Sequence, residues 1–148
     1  MSESILKFYP REPTRSFRGD EVRTVTEFLQ RENETSIVQD SIELVNFEGI
    51  QFIDCGSRLE RIRCPKCGAD VPLDAWQEVM SADFSESSGF GLREIYHCDC
   101  GFDANLNALI YEEHCGFGCA SLSVRVFSHT WTGWLRAMPW IGVVEAKY

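Results

Sequence analysis

The spacing of apolar residues changes along the chain, and each change predicts an element. From Asp20 onward, Val22, Val25, Phe28 and Leu29 recur at helical spacing, which predicts an amphipathic helix over 20–32. Glu21, Arg23, Glu27, Arg31 and Glu32 fall on its other side and read as a solvated face. Residues 36–47 are rich in Ile, Val and Leu, and 50–54 repeat that chemistry, so Glu48-Gly49 between them reads as a hairpin turn with Gly49 at positive φ. Residues 61–63 form a short strand into Cys64, and 92–97 a strand into Cys98. Residues 73–82 read as a short helix with Trp76, Val79 and Met80 on one side. The alternation over 119–128 predicts a half-buried strand, and 141–147 a closing one.

Other stretches carry weaker signals. Residues 8–18 hold two prolines and read as an irregular arm, and the serines and glycines of 81–91 read as a loop. Asp103 is placed to cap a turn of helix through Leu109, and 131–138 read as a short helix before Pro139. No regular βαβ period emerges. The expected fold is α+β: a single domain over 1–148 with an antiparallel or mixed sheet and flanking short helices.

Composition narrows the class. At 44% hydrophobic and 25% charged, the 148 residues are those of a globular chain with enough material for a core. No apolar run approaches the ~18 residues of a membrane span, and the N-terminus lacks a signal-peptide layout, so a cytoplasmic protein is expected. The net charge is −9, a field that repels phosphate and attracts a basic partner. Residues 58–66 run the other way, with Arg58, Arg61, Arg63 and Lys66 against Glu60. No aromatic stacking platform accompanies these cations, and a salt-bridged strand face explains them better than a phosphate track.

The seven cysteines are the most informative feature. Cys64 and Cys67 enclose two residues and precede Gly68, while Cys98 and Cys100 enclose one and precede Gly101. A Gly after the second Cys permits the positive φ that turns a chain around a metal, and Zn²⁺ takes four ligands in a tetrahedron. Cys64, Cys67, Cys98 and Cys100 are therefore the favoured ligands of a structural Zn²⁺, in a zinc ribbon spanning about 58–103. The short second spacing leaves other sets open, because His97 stands three positions before Cys100, and Cys115 or Cys119 could supply a thiolate. Cys55 stands alone.

The sequence does not carry a catalytic set. None of the three histidines begins His-x-Glu, and no His-Glu-x-x-His is present, so the motifs of zinc hydrolysis and deamination are missing. Cys64-Pro65-Lys66-Cys67 is not followed by a helix, as a redox dithiol would be. Cys115-Gly116-Phe117-Gly118-Cys119 lacks the Lys and Ser/Thr of a phosphate loop. Adjacent His114 and Cys115 are poorly placed to face each other. Trp131, Trp134 and Trp140 read first as core, with an exposed anchor for a protein partner as the alternative.

The stretches 47–56 and 59–68, ending in Arg63-Cys64-Pro65-Lys66-Cys67-Gly68, resemble a group of small bacterial proteins, some encoded beside secreted toxins. The similarity spans about residues 8–110. It implies a bacterial cytoplasmic protein in a setting like that of immunity proteins, and it carries no catalytic residues. The expected function is an acidic protein-binding module, an immunity protein that neutralises a basic toxin domain. The alternative is a zinc-ribbon protein associated with nucleic acid or transcription.

Overall fold

The computed structural model describes residues 4–32, 41–126 and 139–147. Its central sheet has six strands. They are β1 (Ser4–Pro10), β2 (Glu43–Ile53), β4 (Phe84–Ser85), β5 (Gly89–Phe90), β9 (Gly116–Val126) and β10 (Ile141–Ala146), in the order β10-β1-β9-β2-β5-β4. Every neighbouring pair is antiparallel except β2 with β5. Two small antiparallel pairs lie outside it: β3 (Ile62–Arg63) with β8 (Ile110–Tyr111), and β6 (Ile95–His97) with β7 (Asp103–Asn105). With helices α1 (Gly19–Glu32) and α2 (Leu73–Asp83), the class is α+β with a mostly antiparallel sheet. No helix among the described residues is long and apolar enough to cross a membrane.

Strand alternation sends successive side chains to opposite faces, and each face has its own core. On one face α1 lays Val25 and Leu29, one helical turn apart, over Leu6, Phe8, Leu122, Val124, Val126 and Ile141. The start of α1 is fixed by Glu21, which accepts the Arg18 backbone N–H at 2.8 Å, the return half of a capping box. Arg15 also donates to Glu21, at 2.7 and 3.2 Å, and holds its carboxyl below the usual range. Glu21 is therefore buried and bonded, in contrast to the solvated charge expected from the helical pattern.

On the other face, Phe52 and Phe117 meet Trp76 of α2 and Tyr111 of β8. Trp76 Nε1 donates to Tyr111 Oη at 3.2 Å, and Tyr111 Oη donates to the Leu106 carbonyl at 2.7 Å, so the polar tips of this aromatic group are satisfied. Tyr9 lies in the same core. Its phenol covers Gly142 and Gly116 so closely that a Cβ at either would overlap it, meeting ring carbon Cζ at Gly142 and the hydroxyl at Gly116.

Four sequence expectations are corrected. First, β2 runs through Glu48-Gly49 without a hairpin; it shifts register against β9 between Asn46 and Gln51 and pairs there with β5. Gly49 is needed for close approach and not for a turn, because a Cβ would stand 1.9 Å from the Ser88 carbonyl oxygen. Second, the arm at 8–18 begins inside β1, where the alternation of Leu6 and Phe8 outweighs Pro10 at the strand's end. Third, the supposed loop at 81–91 contains the β4–β5 hairpin, whose three-residue turn is completed by Gly89 at φ 73°. Fourth, Asp103 does not cap a helix, since it pairs with His97 across β6 and β7, and a turn follows in which Asn105 Oδ1 accepts the Ala108 N–H. The start of the first expected strand (36–40), the end of the 119–128 strand, and the helix at 131–138 with Trp131 and Trp134 lie outside the described residues.

Candidate metal centre

Each cysteine pair sits where a short antiparallel pairing reverses direction. In the first, Arg63 bridges Asp70, the Cys64 N–H donates to the Ala69 carbonyl at 2.9 Å, and the Gly68 N–H donates to the Cys64 carbonyl at 3.0 Å. In the second, His97 pairs with Asp103, the Cys98 N–H donates to Phe102 at 3.0 Å, and the Gly101 N–H donates to Cys98 at 2.9 Å. Gly68 and Gly101 both take positive φ, 75° and 91°, as a glycine after the second cysteine allows. The two turns match except at one point. The second closes one residue earlier, which absorbs its shorter Cys-x-Cys spacing.

The turns face each other and bring Cys64, Cys67, Cys98 and Cys100 together, with all four sulfurs within 4.8 Å of one another. Sγ of Cys64 lies 3.8 Å from that of Cys100, and Sγ of Cys67 lies 3.6 Å from that of Cys98. A tetrahedron with metal–sulfur bonds of about 2.3 Å has edges of about 3.8 Å, so these separations fit four thiolates around one ion. The group could hold a metal ion, and its four sulfurs would leave no open position.

Backbone amides point at the sulfurs. The Lys66 N–H donates to Cys64 Sγ and the Ala69 N–H to Cys67 Sγ, both at 3.4 Å. The Cys67 and Lys66 amides bring the Cys64 thiol down to about 7 against the opposing cost of desolvation. For Cys98 the Cys100 amide favours the thiolate, but the thiols of Cys100, Cys67 and Cys64 and desolvation outweigh it and push the group up to about 12. Four crowded sulfurs resist ionising together, and a dication at their centre reverses that balance.

The other candidate ligands lie elsewhere. His97 has a side chain 74% exposed, with Nδ1 2.6 Å from Asp103 Oδ1, outside the four-sulfur group. Cys115 is buried against Cys55. Cys119 lines a cleft of about 930 Å³ between the 14–16 segment, β2 and the β4–β5 hairpin. His114 faces Tyr9, with Nε2 2.6 Å from Tyr9 Oη, so the adjacent His114 and Cys115 have different partners. Trp140 is 47% exposed, against the core reading and toward the exposed one.

The basic segment is largely neutralised by its own neighbours. Arg58 pairs with Glu113 and Glu145, Arg61 with Asp70 and Glu112, and Arg63 with Glu112. Sequence reasoning missed Asp83, only 9% exposed, whose carboxylate accepts the backbone N–H groups of Leu92, Arg93 and Glu94 at 2.7–2.9 Å. Desolvation opposes its charge, yet these bonds hold its carboxyl below the usual range. Asp83 thereby ties the end of α2 to the chain entering β6 and the second turn. No family model matches the chain, and neither a curated protein nor a solved structure matches it.

Proposed function

We propose that the chain is an acidic protein-binding module whose outer segment is a zinc ribbon held by Cys64, Cys67, Cys98 and Cys100. Zinc suits the site because it takes four thiolates in a closed tetrahedron, and such a site contributes folding free energy in place of chemistry. The observation that carries the binding reading is the ion pairing of Arg58, Arg61 and Arg63 with Glu112, Glu113, Glu145 and Asp70. Those pairs take up three of the four cations of the 58–66 stretch, on a chain whose total charge is −9. A partner meets a chain of net negative charge with exposed Trp140, Phe84 and Ile110 as apolar anchors.

A cationic protein is the partner this surface suits, and a toxin domain neutralised by an immunity protein is its sharpest form. The test is a kinetic binding series against a basic toxin domain encoded beside this chain's gene, at low and high salt. Salt screens long-range attraction over ~8 Å at physiological strength, so association slows as salt rises while dissociation changes less. Tight, salt-sensitive binding to duplex DNA without affinity for the protein would overturn the reading in favour of a nucleic-acid-associated zinc ribbon.

A further inference from the structure

Cys55 and Cys115 are 60 positions apart in sequence, yet their sulfurs lie 3.0 Å apart. Both are free thiols, 1% and 2% exposed, and both approach the Glu113 carbonyl at 3.5 Å. Their place in the fold gives the contact its meaning. Cys55 follows the end of β2 and Cys115 precedes the start of β9, next to the register pair Ile53–Gly116. The chain between them, residues 56–114, holds both cysteine turns, α2 and the aromatic core that covers the sheet. The two ends of that segment, which also adds β5 and β4 to the sheet beside β2, meet at this pair of thiols.

We propose that Cys55 and Cys115 form a reversible disulfide under peroxide stress, closing residues 56–114 covalently at their base. The inference does not depend on the metal or on the proposed function. The sulfurs need to approach by only about 1 Å to reach the bonded separation of about 2.04 Å. The chemistry balances in two steps. Burial and the neighbouring Cys55 sulfur push the Cys115 thiol up, so Cys55 is the sulfur that attacks hydrogen peroxide as thiolate, giving a sulfenic acid and hydroxide. The second thiol then displaces water from that sulfenic acid, so two thiols and one peroxide give one disulfide and two waters. A dithiol reductant reverses it.

The experiment treats the full chain with graded hydrogen peroxide, alkylates remaining thiols under denaturing conditions, and maps non-reduced peptides by mass spectrometry. The expected product joins the Cys55 and Cys115 peptides with the loss of two hydrogens, and dithiothreitol reverses it. Closing a loop of this length constrains the unfolded chain and raises Tm by about 8–15 °C. Cys115→Ala should show no peroxide-dependent rise. Recovery of Cys55 and Cys115 as free thiols after other cysteines have oxidised would overturn the proposal, as would an equal Tm rise in Cys115→Ala. If Cys115→Ala fails to fold, the peptide map of the unsubstituted chain decides alone.

Discussion

Replacing Gly49 tests the strand path that carries the candidate site. In the structure a Cβ at position 49 would lie 1.9 Å from the Ser88 carbonyl oxygen and 2.5 Å from its carbon. An ordinary carbon–oxygen approach is about 3.3 Å or more, so β2 and the β4–β5 hairpin must part by about 1.4 Å. The obstructing atoms are backbone, and no rotamer change relieves the overlap. One or two hydrogen bonds at the Ile50–Gly89 contact are then lost at about 1 kcal/mol each, with a further 1–3 kcal/mol from strained packing around buried Phe90. Stiffening of the unfolded chain returns about 0.4–1 kcal/mol. Gly49→Ala is therefore expected to cost about 1–5 kcal/mol, centred near 3, or about 6–12 °C in Tm at the centre. Gly49→Asn separates this account from a hairpin turn, because Asn tolerates positive φ and would be nearly neutral in a turn, whereas beside Ser88 it is worse than Ala. Gly19→Ala, with nothing within 4 Å, serves as the control and should change stability by less than about 1 kcal/mol. Urea unfolding with matched m-values reads all three. A Gly49→Asn protein as stable as the parent would refute the reasoning.

Asp83→Asn should lose about 2–3 kcal/mol by urea unfolding, because an amide cannot accept all the N–H groups that converge on the carboxylate. Since the folded carboxyl titrates below its unfolded value of ~3.9, its stabilisation is complete above that pH and lost as pH falls through the folded value; an unchanged acid limb in Asp83→Asn would contradict this. His114 is held below its ordinary value, first by burial and then by Arg11, so protons favour the unfolded chain below about pH 6.5 and stability falls there. Denaturation at pH 5 and 7.5 should show that loss reduced in His114→Gln.

The sequence made legible those parts in which chemistry and spacing act locally. Both helices follow from apolar periodicity, β9 and β10 from alternation, and the cysteine turns from glycines that need positive φ. The misread parts are those where distant chain decides. Gly49 satisfies turn chemistry and strand crowding equally well, and only the approach of Ser88 distinguishes them. Asp103 suits a helix cap as well as a strand, and its partner His97 settles which. Leu6 and Phe8 already alternated at the entry to the proline-bearing arm, but the pattern becomes decisive only when Val25 and Leu29 cover it. No local signal links Cys55 to Cys115, because their contact is made by the β2–β9 pairing.

The central claim is that four cysteines from two turns hold one structural zinc. Elemental analysis of the chain purified without added metal, alongside Cys64→Ser, Cys98→Ser and His97→Ala, tests it most directly. The account predicts about one tightly held zinc per chain, lost with destabilisation in both cysteine variants and retained in His97→Ala. A metal-free chain of undiminished stability, or zinc that survives Cys98→Ser but not His97→Ala, would contradict it.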